Sequence, residues 1–403
     1  GELILNNTTV KPVSTDTSYS IEVYSTSTIE WINTSILYTE YPGEIYIGTD
    51  YPIRIVNVTI AHGSYLMISY SQNATVTGLF INDLSIITIY SVINSTFSAM
   101  DIGNVYNLAI YCCNNITISE SYLNARVDIH YSTSVSLQNI TINRSLCLST
   151  VSGWYYPNGY CEFDPGALYL EESINVTLTN VSFIGRGLTV LGSPETFTTL
   201  KIENSTVNNK SILLYVNESV NVIEGTYGEI LLGYVDVAEI RGVQVDFIEV
   251  WLSNSVVIEN VQMHAHAPFI DVFWSKNVTI SNITMTNEYL RIFASGSRDL
   301  MLQNSLFSEI SLVNVTGVLK NNTIEDQVSI ERLYEGDILL LNNKLYVYWL
   351  WHYHTSRDIK YYNNTFLGHG WLDINSYSAT TIFMANDFSQ KYVQLLVADN
   401  SKV

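Results

Sequence analysis

The densest ionisable stretch of this chain is Asp236, Glu239, Asp246 and Glu249, with Arg241 between them. Carboxylates of this kind are hard oxygen ligands that suit calcium. A basic residue beside them would suit proton abstraction, the chemistry of a polysaccharide lyase. A repeat of about 17 residues would also bring Glu229 near Asp246. The histidines fall into two groups, His264 with His266 and His352 with His354 and His369. Residues two apart share a strand face, so a metal cluster is a conceivable use of them. A solvated acidic face and aromatic stacking explain the same residues more simply. No catalytic residue and no metal ligand is therefore assigned, and calcium stays a candidate ion only.

The four cysteines are Cys112, Cys113, Cys147 and Cys161. Their number is even, and two adjacent cysteines without a CxxC fit no zinc motif. Neighbouring strand residues face opposite ways, so one of Cys112 and Cys113 points inward and the other outward. The expectation is two disulfides tying this region to the 147–161 loop, with buried free thiols as the alternative. The surrounding segment, about 144–166, carries Trp154, Tyr155, Tyr156 and Tyr160. Exposed aromatics of this kind stack on sugars or anchor partners, and a loop lying over a lateral groove would equally use them.

A third chemistry is written repeatedly, as Asn, any residue, Ser or Thr, the acceptor for N-linked glycans. It occurs at Asn6, Asn7, Asn33, Asn57, Asn73, Asn94, Asn115, Asn139, Asn143, Asn175, Asn180, Asn204, Asn209, Asn217, Asn277, Asn282, Asn314, Asn321 and Asn363. Chance would place Ser or Thr after about a fifth of the asparagines, whereas about half begin a sequon. Part of that excess is what asparagine-rich corners followed by threonine-rich strands would produce unaided.

The elements that position these groups are strands. Asn57-Val-Thr-Ile, Asn115-Ile-Thr-Ile, Asn139-Ile-Thr-Ile, Asn175-Val-Thr-Leu and Asn277-Val-Thr-Ile alternate apolar and hydroxyl residues, the period of a half-buried strand. From Asn175 onward, strand, asparagine corner and second strand recur about every 17 to 23 residues. Upstream the rhythm reads as looser. No stretch keeps helical periodicity, and Asn, Asp and Ser must build most turns, because Pro numbers only 7 and Gly 21. Units this short bury their apolar faces only by stacking. The fold expected is all-β, a right-handed single-stranded parallel β-helix solenoid of roughly sixteen coils. Residues 1–403 would form one domain, with the 144–166 loop projecting from it.

This pattern resembles the pectate-lyase-like parallel β-helix superfamily. The sequon density with so little lysine is similar in composition to archaeal surface glycoproteins. The superfamily resemblance directs attention to Gly368-His369-Gly370, because polygalacturonases carry a Gly-His-Gly after an Asp-Asp pair and before Arg-x-Lys. Here no Asp-Asp pair occurs, Arg357 and Lys360 precede the motif, and only Asp373 lies near it. Inverting hydrolysis needs two carboxylates, so the motif assigns no hydrolase.

The bulk numbers narrow the function classes. Net charge is −20, from 18 basic against 38 acidic residues, and the absence of a basic cluster excludes nucleic acid as a partner. No apolar run of about 18 residues is present to span a bilayer. Charged residues are only 14%, with 29 Tyr alongside abundant Ser, Thr and Asn, a surface suited to the outside of a cell. The reading is an exported protein, signal removed, located extracellularly or at the cell surface. Its role would be structural or interactive, in a filament, lattice or virion. Its partners would be other surface proteins, or copies of itself joined through strands at Glu2-Leu-Ile-Leu and Tyr392-Val-Gln-Leu-Leu-Val or through aromatic contacts. A carbohydrate-active enzyme or a glycan-binding adhesin is the alternative.

Overall fold

The computed structural model describes residues 3–6, 9–10, 20–25, 28–37, 43–144, 166–265, 267–286, 289–346, 349–376 and 380–397. The chain divides into two compact units, Gly1–Ile212 and Leu213–Val403. Both are all-β, and their parallel strands stack as a β-solenoid, about fifteen turns in all. The one helix among the described residues is short, Pro194–Thr198, and no described helix is long and apolar enough to cross a membrane.

In the first unit the turns repeat in register. Ile86–Tyr90 pairs with Asn107–Tyr111, which pairs with Arg126–His130 and then with Leu168–Glu171 and Leu188–Leu191, all parallel. Inward positions of these strands are Ile87 and Ile89, Leu108 and Ile110, Val127 and Ile129, and Leu168 and Leu170, all buried. Each such side chain contributes about 1.5–3 kcal/mol by leaving water. The second unit repeats the scheme in a nine-stranded sheet running from Val220–Ile223 to Thr381–Met384. Its core of Ile, Val and Leu runs from Ile223 to Phe366.

What bends a flat strand into a closed turn is a residue in the left-handed region. One turn places such residues at Asn57, His62, Tyr70 and Asn73, the next at Gly78, Asp83, Ser91 and Asn94, and the next at Ala99, Asn104, Cys112 and Asn115. Asparagine tolerates this region better than other non-glycine residues. The upstream turns are therefore as regular as the downstream ones. Their rhythm looks loose in sequence because Gly78, Ala99 and Glu120 occupy the corner that asparagine marks elsewhere.

A left-handed corner interrupts the backbone ladder and strands the next N–H inside the core, where it needs a partner. Small polar side chains from the following turn supply one. In the first unit Val92 N–H donates to Cys113 Sγ at 3.4 Å, Cys113 N–H to Ser132 Oγ at 3.1 Å, and Ser132 N–H to Ser173 Oγ at 3.1 Å. In the second, Val235, Ser253 and Ser275 donate in the same way to Ser253, Ser275 and Ser297. A second internal column is built of asparagine, in which the N–H groups of Asn322, Asn343 and Asn364 donate to Asn343, Asn364 and Asn386.

Candidate functional site

The ladder settles how the vicinal cysteines are used. Cys113 is buried and takes a serine position in the column, while Cys112 is exposed at φ 53°, so the pair faces opposite ways because of the left-handed corner between the strands, not because of strand alternation. Burial pushes the Cys113 thiol up to about 11. Cys112 and Cys113 are free thiols among the described residues. Cys113 Sγ accepts from Val92 N–H and donates to the Ile89 and Tyr111 carbonyls. Cys147 and Cys161 lie outside the described residues, as do Trp154, Tyr155, Tyr156 and Tyr160.

The calcium candidates do not converge. Asp236 is exposed, and Glu239 pairs with Arg241 at 3.2 Å, with Glu259 at 3.8 Å from the same guanidinium. Asp246 and Glu249 are not part of that solvated face. They are buried, as is Glu229. Register puts Phe247 opposite Glu229, and Trp251 Nε1 donates to Glu249. Further along the same sheet Arg291 meets Asp271 at 3.3 Å, and Tyr289 O–H donates to Glu309 at 2.6 Å. Burial disfavours the Arg291 charge, and Asp271 and Glu309 more than offset it.

The histidines also separate. His352 points into the core, is fully buried, and its Nε2 lies 2.7 Å from the Tyr361 hydroxyl. Burial lowers its pKa to about 3, so it stays neutral. Ile374 is its register partner in the next strand, whereas His369 pairs with Tyr392. His264 is half-buried, and His266 and the side chains of His354 and His369 lie outside the description. The strand Thr365–Ser376 carries the Gly368–Asp373 backbone, with Asp373 opposite Trp351.

The best-formed polar constellation lies elsewhere, on the outward face of Arg126–His130 in the first unit. Val127 and Ile129 face the core, so Arg126, Asp128 and His130 share the outer face. The preceding turn sets Asn107, Ala109 and Tyr111 beside them, and the following turn sets Tyr169 and Glu171. Ala109 is opposite Asp128, and its small side chain leaves room between Asn107 and Tyr111. Asp128 accepts from Asn107 Nδ2 at 2.7 Å and from Arg126 Nε at 2.5 Å. His130 Nδ1 lies 2.7 Å from Glu171 Oε2, and its ring stacks on Tyr111 at 4.4 Å. Arg126 lies over the Tyr169 ring at 5.1 Å, and burial, then Glu171, raises the Tyr169 hydroxyl to about 12.

Two atoms in this cluster are buried without a hydrogen-bond partner, His130 Nε2 and Asn107 Oδ1. His130 Nε2 is 3.9 Å from Asp128 Oδ2. Burial disfavours the imidazolium, but Asp128 and Glu171 more than offset it and hold the His130 pKa above its ordinary value. When protonated, His130 offers a hydrogen-bond donor at Nε2 where Asn107 offers an acceptor at Oδ1, an arrangement suited to a ligand hydroxyl.

The raised pKa has a thermodynamic sign. The folded state binds the His130 proton more tightly than the unfolded chain does. Its stabilisation is complete below the ordinary histidine value of about 6.5 and is lost as pH rises through the folded value. Unfolding free energy is therefore expected to fall as pH rises from about 6.5 through the folded value, and His130→Gln should flatten that slope. An unchanged slope in urea unfolding of the variant would show that another group carries the dependence.

Strand Arg-Val-Asp-Ile-His does carry a signal in sequence: three ionisable groups at period two around buried apolar residues. A search for clustered histidines passes over it, because the second carboxylate, Glu171, comes from the adjacent turn, 41 residues on. Comparison with protein-family models and with curated proteins finds no match for this chain.

Proposed function

We propose that this chain is an exported, N-glycosylated β-solenoid with a structural or interaction role at a cell surface, in an extracellular filament or lattice, or in a virion. The observation that carries the reading is a comparison between corners. Among the described residues 21 asparagines are left-handed, and 16 of them are followed two positions later by Ser or Thr. The other 17 left-handed non-glycine residues are so followed only 4 times. The hydroxyl therefore tracks the asparagine, not the corner. In equivalent positions of one column Thr59 is replaced by Phe80, Asp101 and Tyr122 once the corner residue is Gly78, Ala99 or Glu120. Strand geometry alone gives no reason for such a preference, whereas a glycan acceptor does.

Accessibility supports the same reading. Every described sequon asparagine is exposed or half-buried. Several donate Nδ2–H to the neighbouring corner asparagine, as Asn57 does to Asn33 at 3.2 Å, Asn115 to Asn94 at 2.9 Å and Asn363 to Asn342 at 2.8 Å. A primary amide has two such hydrogens, so attachment of a sugar consumes one and leaves the other for the ladder.

Glycopeptide mapping of the native protein is expected to find sugar on many of these sequons. Thr117→Val should remove it at Asn115 alone. A fully unmodified native protein would overturn the proposal. The assembly half of the proposal rests on strands at Leu3–Asn6 and Asp387–Val397 and on exposed corner aromatics. Electron microscopy tests it, since monodisperse native particles at all concentrations would sink it. A second reading, a recognition face for a hydroxyl-rich ligand, is favoured specifically by the unpartnered His130 Nε2 and Asn107 Oδ1.

A further inference from the structure

Among the described residues three exposed corners are aromatic, Tyr70, Tyr131 and Trp274, at 54%, 59% and 52% exposure. Each occupies the left-handed region, which strains a bulky side chain. Backbone strain combined with an exposed apolar ring calls for a reason beyond packing.

Trp274 has the most elaborate setting. Its φ is 44°. The equivalent corner of the next turn is Gly296, as Trp274 N–H donates to the adjoining Ser295 carbonyl. A Cβ on Gly296 would lie 2.2 Å from Trp274 Cδ1, so the indole rests where that side chain would stand. On its other side lie Trp251 at 5.3 Å between ring centroids and Phe273 at 6.3 Å, and Trp251 is fully buried. The ring is thus seated on a fixed aromatic bed and still presents half its surface.

Three residues further on, Asn277 is exposed, left-handed with φ 52°, and begins the sequon Asn277-Val278-Thr279. Two intervening residues put the Cα atoms at most about 10 Å apart, a gap that an indole and an amide-linked pyranose span together. Tyr70 stands in the same relation to the sequon at Asn73, seated edge-on against Tyr90 at 5.5 Å. Tyr131 does not, because the position three residues on is Ser134.

We infer that Trp274 is a docking platform for the first sugar of the glycan on Asn277, whose apolar C–H face lies on the indole. The inference rests on the glycosylation reading and names where one glycan sits. The negative π face attracts the polarised C–H groups of a pyranose, and the preformed seat leaves little side-chain entropy to lose. Contact with the ring turns a mobile appendage into part of the corner, which offsets the backbone strain. Tyr70 plays the same part toward Asn73.

The test is a double-mutant cycle on the natively glycosylated protein, using Trp274→Ala and Thr279→Ala, with Asn277 occupancy read by glycopeptide mapping. Thr279→Ala removes the sequon and keeps the asparagine. Trp274→Ala is expected to lower Tm by several degrees when Asn277 carries its glycan. In the Thr279→Ala background the shift should be less than half as large. Equal shifts with Asn277 occupied would overturn the inference while leaving glycosylation standing. An unoccupied Asn277 in the native protein would overturn both at this sequon. Should Trp274→Ala fail to fold, Trp274→Leu keeps apolar volume without the ring and is expected to lose the same coupling. Tyr131→Ala, whose own turn has Ser134 where the other two have a sequon asparagine, should show less than half the glycan-dependent part of the Trp274→Ala shift.

Discussion

Asn343→Leu is expected to destabilise the second unit by about 4 kcal/mol, as two buried partners lose their bonds at about 1–3 kcal/mol each. Asn343 is 1% exposed. Its Oδ1 accepts from Asn322 N–H at 2.9 Å, and its Nδ2 donates to the Leu319 carbonyl at 2.9 Å and to Asn364 Oδ1 at 2.9 Å. Leucine has nearly the same shape and offers none of these bonds. The N–H of Asn322 would be left in the core without water or partner, the costly case for a polar group, and the carbonyl of Leu319 would lose its side-chain donor. Neighbouring Asn342 makes an instructive contrast, because it is exposed and serves mainly as a left-handed corner. Asn342→Ser should cost only about 1 kcal/mol, the strain of a less tolerant residue. Urea unfolding of both variants checks the pair. A loss under 1 kcal/mol for Asn343→Leu would mean that the asparagine column is not what satisfies the interrupted backbone.

Gly317→Ala is the second large effect, and here the cause is contact with backbone. Gly317 pairs with Leu300 in the preceding turn. A Cβ on Gly317 would stand 2.0 Å from the Leu300 oxygen, 2.8 Å from its carbonyl carbon and 3.0 Å from its nitrogen. No side-chain rotation relieves such an overlap, so the turns themselves must separate locally. The expected loss is about 3 kcal/mol, the upper range of overpacking. Soluble yield and the midpoint of thermal unfolding report it, and a variant as stable as the parent would show that the stack has slack at this rung.

Much of the fold was legible because two constraints write themselves into the same letters. Inward positions demand Ile, Val or Leu, outward positions accept Thr, and corners favour Asn, so the Asn-Ile-Thr-Ile strands announce themselves. Legibility failed where a constraint accepts several residues. Gly78, Ala99 and Glu120 fill the same corner as Asn57 and hide the period. In the Asn-Asn pairs at 321–322, 342–343 and 363–364 only the first asparagine is a left-handed corner, and the second turns inward and bonds the core, a division of labour that two identical letters do not show. The lateral cluster around His130 was harder still. Arg126, Asp128 and His130 come from one strand, but Asn107 and Glu171 come from the turns on either side, and local spacing does not reveal which turn lies beside which. The acidic stretch misled for the converse reason: closeness along the chain suggested one solvated face, whereas Asp246 and Glu249 are buried and Asp236 is exposed.

The corner at Asn139 bonds to that at Asn180, 41 residues on, while the corners at 57, 78, 99 and 120 follow one another at 21. Thr141 and Ile142 nonetheless pair in parallel register with Ser182 and Phe183. Stacking thus recognises corners and disregards how much polypeptide separates them. Loop closure grows only slowly more costly with length, by about 0.6 kcal/mol per doubling. Such a scaffold can acquire new sequence between any two corners, by insertion or by duplication of a whole turn, without renegotiating the rest. It is an architecture in which novelty enters sideways, at the rim of a rung, while the column behind it keeps its old grammar.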